Sequence, residues 1–509
     1  MSPAIQQAKA LLTQLNRPLV GTAPRLGIVL AAGHGKRIRS ETSKMLHQIW
    51  GKPSVLRVAN AVEVGLESPD QVIVVGIKGA EVGRSIGAKP GRLFAYQENP
   101  VRGLPAGTGD AVRVALEAIA PDTIPRDIYI FLGDMGLLTH EGVSQFRREF
   151  EANPCDMMVL TGLYSGAAEL NYYGRIVRVP AADREGRPSG ADQGKVIEIK
   201  EHKDILGLPA DQAYQVSYHG CNYEFSRAQL LEIREINTGV VAFREDSLRA
   251  HIGEMKTDNI QGELMLTDMV HILNQRGLVV RAVQAASEEE ILAFNVKSVW
   301  RQMEVIARRW AYHRLMDLIT IVDEEDFFIA DEVIAQIVAL DQERGPLDIV
   351  VGKGAQVGPR VRLNRKVHLG DNCLLSGNIE LGEGVRIGPG VEMSTYPHQT
   401  MVLEDEVEVL SGDILKGNLR LGSHSRIESG VIMTGSDEHP LRLGKRVTIK
   451  GTTYLYGCLV DDEMLVEQSI IKCRHLVGVR RRDGSIQPIR YVRPQPEGLD
   501  SLADLPQRA

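Results

Sequence analysis

Short unbroken apolar runs recur along the first half of the chain, separated by stretches whose apolar positions fall every three to four residues. Leu26–Leu30, Val72–Val75, Ile128–Leu132 and Met157–Leu160 are of the first kind and read as buried strands, while Val55–Glu67 and Ala111–Ala118 are of the second and read as helices. Strands of continuous hydrophobicity alternating with helices predict right-handed βαβ units and an α/β domain built on a doubly wound, mostly parallel sheet. Ligands in such sheets lie outside the carboxyl ends of the strands. The segments just after Leu30 and Leu132 are therefore the places to look for chemistry.

From residue 296 to 343 the pattern changes. Trp300, Met303, Ile306 and Trp310, and then Phe327 to Leu340, keep helical spacing in a stretch rich in Arg and Glu, which reads as a helical connector. Beyond it the period becomes six. Val351, Val357, Leu363, Leu369, Leu375, Leu381, Ile387 and Met393 form one row, and Ala355, Val361, Val367, Cys373, Ile379, Val385 and Val391 form a second. The first row resumes at Leu403, Val409, Leu415, Leu421, Ile427 and Met433, and again at Leu443, Ile449 and Leu455. Such a hexapeptide repeat predicts a left-handed parallel β-helix in which each coil buries its apolar face only against its neighbours. The breaks near Pro397 and His439-Pro440 are expected as extruded loops. The organisation expected is therefore an N-terminal helical extension (1–24), an α/β domain (25–295), a helical connector (296–346), a β-helix (347–476) and a basic, then Pro-rich and acidic tail with little structure of its own (477–509).

Composition narrows the class. A chain of 509 residues exceeds one ordinary core, and 43% hydrophobic with 25% charged residues is a globular balance. No window approaches the roughly 18 uninterrupted apolar residues of a membrane span, and Gln6, Gln7, Lys9, Gln14 and Asn16 interrupt what would be a signal peptide's apolar core. The expected address is cytoplasmic, with no membrane partner. Five cysteines (Cys155, Cys221, Cys373, Cys458, Cys473), scattered and without a Cys-x-x-Cys pair, argue against a disulfide framework or a zinc site. A net charge of −7 disfavours a nucleic-acid partner, and Arg480-Arg481-Arg482 reads as a solvated turn.

Candidate chemistry begins at the end of the first strand. Residues 28–44 run from an apolar strand into a glycine-rich turn and then a basic stretch. Gly33 and Gly35 are expected to adopt positive φ and bring backbone N–H groups to an anion, with Arg37 and Lys44 supplying charge and Lys36 and Arg39 as bystanders. The spacing fits neither the dinucleotide fingerprint nor the P-loop.

Leu30-Ala31-Ala32-Gly33-His34-Gly35-Lys36-Arg37, with Lys44-Met45-Leu46-His47 and Gly51-Lys52-Pro53, closely resembles the sugar-1-phosphate nucleotidyltransferases. Within them the likeness is greatest to the N-acetylglucosamine-1-phosphate uridylyltransferase domain of the bifunctional uridylyltransferase/acetyltransferase enzymes. Further matches occur in that family's order: Gly107-Thr108-Gly109, Leu132-Gly133-Asp134, Tyr173-Gly174-Arg175-Ile176, Glu201-His202-Lys203-Asp204, Glu235 to Gly239, Gln261-Gly262-Glu263, Thr267-Asp268 and Asn295.

The resemblance implies Mg²⁺-dependent transfer of a nucleotidyl group from a nucleoside triphosphate, UTP, to a sugar-1-phosphate, N-acetylglucosamine-1-phosphate, with pyrophosphate leaving. It makes Lys44 the catalytic lysine with Arg37 beside it, and Asp134 and Asn295 the metal ligands. A hard carboxylate at a strand end also suits a cation that takes only one or two protein oxygens. Leu30, Ala31, Ala32, Gly33, Gly35, Gln97, Gly107 and Thr108 are implied for the nucleotide, and Leu132, Gly133, Gly174, Glu201 and Asn237 for the sugar. His34 and His47 are read as structural, since this chemistry needs no imidazole base.

The chain also departs from the family. Leu132 stands where Tyr is common, and the nine residues between Gln97 and Gly107, including Pro100, Gly103 and Pro105, exceed the family's spacing. Ile205 to Arg234, with Tyr214, Tyr218, Tyr223 and Phe225, is longer than in the relatives and reads either as a lid or altered sugar pocket, or as a surface insertion. The relatives' acetyl-transfer motifs are not recognisable in the β-helix, where His368, His398, His424, His439 and His475 sit at unrelated places. That domain is expected to be structural or regulatory and to form a homotrimer. Two alternatives stay open: another nucleotide and sugar-1-phosphate pair, or a nucleotide-sugar sensor on a β-helix scaffold.

Overall fold

The computed structural model describes residues 3–21, 24–33, 35–98, 106–119 and 126–495. The chain divides into two compact units, Met1–Glu304 and Val305–Ala509.

The first unit is built on a sheet of β1 (Arg25–Ala31), β2 (Gln71–Val75), β3 (Arg92–Tyr96), β4 (Asp127–Leu132), β5 (Met157–Leu163), β6 (Arg175–Arg178), β7 (Val196–Lys200), β10 (Glu235–Arg244) and β11 (Val280–Gln284). A hairpin of β8 (Tyr214–Tyr218) and β9 (Cys221–Phe225) forms a separate two-stranded sheet. The spatial order of the main sheet is β11-β5-β10-β4-β1-β2-β3. Neighbours along this order are parallel except around β10, which runs antiparallel to both β5 and β4, and off this path β6 runs antiparallel to β10 and β7.

Alternation along each strand divides the core in two, because successive side chains point to opposite faces. Val29, Ala31, Ile73, Val75, Tyr129 and Phe131 pack against helices Ser54–Gly65 and His140–Ala152. Leu26, Ile28, Leu30, Val72, Val74, Ile128 and Ile130 face helices Thr108–Glu117 and Asp268–Gln275 instead. Both faces are thus covered, which is why the strands read as unbroken apolar runs.

The long stretch after Asp204 has its own small core. Val216, Tyr218 and Tyr223 of the β8–β9 hairpin meet Val177, Val179, Ile197, Ile205 and Leu230, and the following helix, Arg227–Glu232, is closed by a reciprocal Ser226–Gln229 capping box. Its aromatic residues therefore serve packing, and none of Tyr214, Tyr218, Tyr223 or Phe225 lines the cavity beside Asp134. The stretch thus packs as a small lobe with a core of its own.

The second unit is a parallel β-helix of left-handed type with three sheets of nine, eight and seven strands. One coil takes 18 residues, as in the register Val351–Leu369–Ile387. Between Ile387 and Val409, and again between Ile427 and Ile449, the register lengthens by four residues, placing the two extruded loops at the two sequence breaks. The inward residues of both apolar rows are buried along their whole length.

Two limits of this region differ from expectation. The coil begins inside the segment read as a connector: Thr320–Ile321 and Phe328–Ile329 pair with Val350–Val351 and Gln356–Val357. Helix Asp331–Glu343 comes after these strands and interrupts the six-residue period, which hides this first turn. At the other end residues 477–495 are not simply a tail, and 496–509 lie outside the described residues. Residues 479–487 fold back in a tight excursion, and Ile489–Arg490 adds a last strand beside Val466–Glu467. Arg480-Arg481-Arg482 lies exposed in that excursion. Helix Lys297–Leu315 contains the boundary between the units.

Candidate functional site

The carboxyl ends of β1 and β4 are tied by a hydrogen bond from Gly133 N to the Leu30 carbonyl, 2.9 Å. Beyond β1, Gly35 has φ of 62°, and a Cβ there would come within 2.7 Å of Lys44 Cβ. Only glycine fits, both for conformation and for space. Gly33 departs from expectation: its φ is not in the left-handed region, and a Cβ would meet nothing closer than Met45 Cε at 3.5 Å. Arg37 lies exposed on the short turn Lys36–Ile38, which the buried Ile38 anchors. His34 lies outside the described residues.

Lys44 opens the turn Lys44–Leu46 and is only 6% exposed. Its ammonium donates to Asp134 Oδ2 and, at 2.7 Å, to Asn295 Oδ1, and lies 5.7 Å from the centre of the Phe294 ring. A buried ammonium needs such partners, because taking it out of water unpaired is costly. Asp134 Oδ1, in contrast, is buried with no hydrogen-bond partner. Residues 44, 134 and 295 thus meet from three distant parts of the sequence.

Beside them opens a cavity of about 240 Å³. Thr108, Leu132, Asp134, Gly174, Glu201, Asn237 and Asn295 of the expected site all line it. Leu30, Ala31, Ala32, Gly33, Gly35, Arg37, Lys44, Gln97, Gly107 and Gly133 do not, although Lys44 bonds directly to Asp134 and Asn295 in its wall. Elsewhere in the cavity wall, Asn237 N donates to the Gly174 carbonyl at 2.9 Å. A bulge lies between Asn237 and Val241, and Gly239, with φ of 82°, leaves room for Leu132, whose Cδ1 would lie 2.7 Å from an added Cβ.

The loop before Gly174 is braced from below. Arg175 is fully buried and donates to the carbonyls of Tyr173 and, at 2.7 Å, Asn171. Burial, with Asp204 and Asp268 adding to it, pushes the Glu201 carboxyl up to about 7. Burial first and then Asp204 raise Asp268 to about 6. Near neutral pH Glu201 can therefore both give and accept a hydrogen bond.

On the side where the resemblance puts the nucleobase, Gln97 is already engaged: its amide donates to the Gly107 carbonyl at 3.0 Å and to Asp110 Oδ2 at 2.9 Å. Thr108 Oγ1 accepts from Leu266 N at 3.1 Å. Pro100, Gly103 and Pro105 lie outside the described residues. Sequence reasoning assigned no role to Tyr172, which stands one position before the Tyr173-Gly174-Arg175-Ile176 match and lines the cavity mouth at 68% exposure. Thr238, Gly239 and Thr267 also line it, and the motifs Glu235 to Gly239 and Thr267-Asp268 were the available signal for them.

The donor set fits a hard divalent cation. Among the described residues no cluster of three or more His, Cys, Asp or Glu could form a closed protein cage. One carboxylate with a bare buried oxygen, next to one amide oxygen, is what Mg²⁺ needs when substrate phosphates and waters complete its shell.

Residues 27–181 match the MobA-like NTP transferase domain. The chain is 28% identical over 356 residues to the bifunctional protein GlmU of an Exiguobacterium species, covering 70% of this chain and 65% of that protein. With GlmU of Shouchella clausii the identity is 29% over 354 residues, 68% of each chain. With GlmU of Paraburkholderia phytofirmans it is 32% over 352 residues, 68% of this chain and 64% of the relative. The chain thus spans about two thirds of the length of the curated relatives it matches. A crystal structure from Bacillus anthracis, described as a putative glucose-1-phosphate thymidylyltransferase, aligns over 56% of this chain and 95% of its own, at 17% identity and a TM-score of 0.37. On these sequence matches the chain is similar to GlmU proteins over 68–70% of its length, and residues 27–181 carry the match to an NTP transferase domain.

Proposed function

We propose that the protein is a Mg²⁺-dependent sugar-1-phosphate nucleotidyltransferase that converts UTP and N-acetylglucosamine-1-phosphate into the nucleotide sugar and pyrophosphate. The observation that carries this reading is the convergence of Lys44, Asp134 and Asn295 at the edge of a cavity framed by Gly174, Glu201 and Asn237.

In the reaction an oxygen of the sugar phosphate attacks the α-phosphorus. One P–O bond forms, the bond to the pyrophosphate oxygen breaks, and the pyrophosphate leaves with the electron pair, so no covalent enzyme intermediate is needed. Catalysis is then positioning and neutralisation of charge. Asp134 and Asn295 would hold the cation, which when bound supplies Lewis-acid stabilisation of phosphate charge. Lys44, held in place by two oxygens, directs fixed positive charge at the reacting phosphate, and Arg37 on the neighbouring turn serves the triphosphate. Glu201 and Asn237 receive sugar hydroxyl and acylamino groups, types that their donors and acceptors suit. Leu30 to Gly35 and the Gln97–Thr108 segment take the nucleotide.

The β-helix has no part in this chemistry and is assigned to assembly as a homotrimer. Support comes from a ladder on one of its outer faces, Leu374, Glu392, Ile414, Ile432, Tyr454 and Ile470, one residue per coil. Leu374, Ile432 and Ile470 are exposed by 40%, 42% and 37%, and exposed apolar side chains in one row, interrupted by Glu392, suit an interaction face. Sedimentation equilibrium tests it: three times the chain mass is expected, and a monomer at all concentrations refutes it. The assignment of the enzyme to the cytoplasm rests on its nucleotide substrate and on the family.

Purified protein with Mg²⁺ and a grid of nucleoside triphosphates against sugar-1-phosphates, read by pyrophosphate release, tests the function. The UTP and N-acetylglucosamine-1-phosphate pair should dominate. Dominance of another pair moves the specificity to the engaged Gln97 and the residues that follow it, while no release from any pair overturns the reading.

A further inference from the structure

Lys44 is not held by its own salt bridge alone. The segment that carries it continues through His47 into a tight hairpin in which Gln48–Ile49 pairs with Lys52–Pro53. At the hairpin tip Trp50 has φ of 48° and Gly51 φ of 74°. A left-handed conformation is natural for glycine and costly for tryptophan, so such a turn persists only where its surroundings over-determine it.

Those surroundings are residues 294–304. Phe294 lies under the Lys44 ammonium and meets the His47 ring edge-on at 6.2 Å. The Trp300 ring also lies against His47, centroids 4.9 Å apart. Trp300 Nε1 donates to the Gln48 carbonyl at 2.7 Å, and Glu304 Oε1 accepts from Trp50 N at 3.1 Å. Residues 300 and 304 are four apart on helix Lys297–Leu315 and so share one face. That face grips the first arm and the tip of the hairpin into which the Lys44 turn leads. Asn295, which bonds Lys44 directly, sits two residues before the same helix.

We propose that Trp300 and Glu304 are positioning residues: the start of the connector helix is a clasp that fixes the Lys44 segment, and hence the ammonium, against Asp134 and Asn295. The inference rests on Lys44 acting in nucleotidyl transfer. The helix is then part of the active-site scaffold, although neither residue lines the cavity. A displaced ammonium costs rate more than affinity, since a misplacement of about 1 Å can cost on the order of a hundredfold.

The test is made on the full chain with Trp300→Ala, Glu304→Ala and Glu304→Gln, by two readouts. In steady-state kinetics both Ala variants should lower kcat by about tenfold or more while KM for both substrates stays nearly constant. Glu304→Gln should restore kcat, because a backbone N–H needs only a neutral oxygen acceptor. By hydrogen–deuterium exchange, amides 46–54 should exchange faster in the Ala variants while those of β1 and β4 stay protected, which separates release of the clasp from unfolding. Unchanged exchange at 46–54 together with unchanged kcat overturns the proposal, as does a loss confined to KM or a Glu304→Gln variant as impaired as Glu304→Ala. If the wild-type protein releases no pyrophosphate, the reading of the reaction falls, and exchange alone still decides whether the clasp exists.

Discussion

The two units use the same kinds of residue to opposite ends. In the β-helix, burial is uniform: Leu369, Ile387, Val409 and Ile427 repeat one environment coil after coil, each packed on its neighbours in sequence. In the α/β unit, buried groups are few of a kind and drawn from far apart, so that positions 44, 134, 201, 237 and 295 meet at one place. Regular burial gives stiffness. Irregular burial of charge, with Asp134 Oδ1 left unpartnered and Glu201 pushed up to about 7, is where chemistry becomes possible.

The sharpest way to break this contrast is Asp134→Ala. Removing the carboxylate should cut turnover by about a thousandfold or more at any Mg²⁺ concentration, while circular dichroism and the melting transition of the β-helix stay in place. Near-normal pyrophosphate release would remove Asp134 from the chemistry. Next comes Lys44→Ala, expected to lower kcat by about two to three orders of magnitude. A rise in KM alone would make Lys44 a uniform binder.

On the other side of the comparison, Leu415→Ala leaves a cavity in a fully buried stack and should destabilise that unit by about 3 kcal/mol in urea unfolding. Initial rates of pyrophosphate release should be unaffected under native conditions. Equal losses of stability and activity would join what the contrast separates.

Smaller effects come from titration. Asp413 is fully buried in the β-helix, with Oδ1 accepting from Val431 N at 2.8 Å and Oδ2 unpartnered; burial pushes its carboxyl up to about 7. Because the folded value is the raised one, its contribution is fully present below about pH 4 and is lost as pH rises through about 7. The unit's stability should therefore decline across that window by at most about 1.4 kcal/mol per pH unit for this one proton, and Asp413→Asn should flatten the slope. For Glu201, also raised to about 7, KM for the sugar phosphate should change as pH passes through neutrality. Glu201→Gln should abolish that dependence, and an unaltered profile would take Glu201 out of the sugar contact.

Much of the architecture was legible because its signal is local. Val72 to Val75 read as a strand since both of its faces are covered, and the six-residue rows read as coils since every inward position repeats. What escaped was non-local or aperiodic. Thr320–Ile321 could not be seen as a first coil because helix Asp331–Glu343 breaks the period, and Ile489–Arg490 joins the last coil only after the excursion 479–487 brings it back. For the site, a glycine turn and a Gly-Asp pair at two strand ends pointed to the region where Lys44, Asp134 and Asn295 meet. Composition could not show that Gly35, not Gly33, takes the positive φ, nor that the Gln97 amide is spent on Gly107 and Asp110. Tyr172 fell one position outside a matched motif, and the grip of Trp300 and Glu304 on the Lys44 hairpin joins residues some 250 positions apart.

The central claim is that the Lys44–Asp134–Asn295 constellation transfers a nucleotidyl group. The most direct measurement is the initial rate of pyrophosphate release from the purified protein with UTP alone, with N-acetylglucosamine-1-phosphate alone, and with both, each with Mg²⁺ and with chelator. Release only when both substrates and Mg²⁺ are present, with the nucleotide sugar formed in equal amount, is the result predicted. Release from UTP alone, or equal release under chelation, would contradict it.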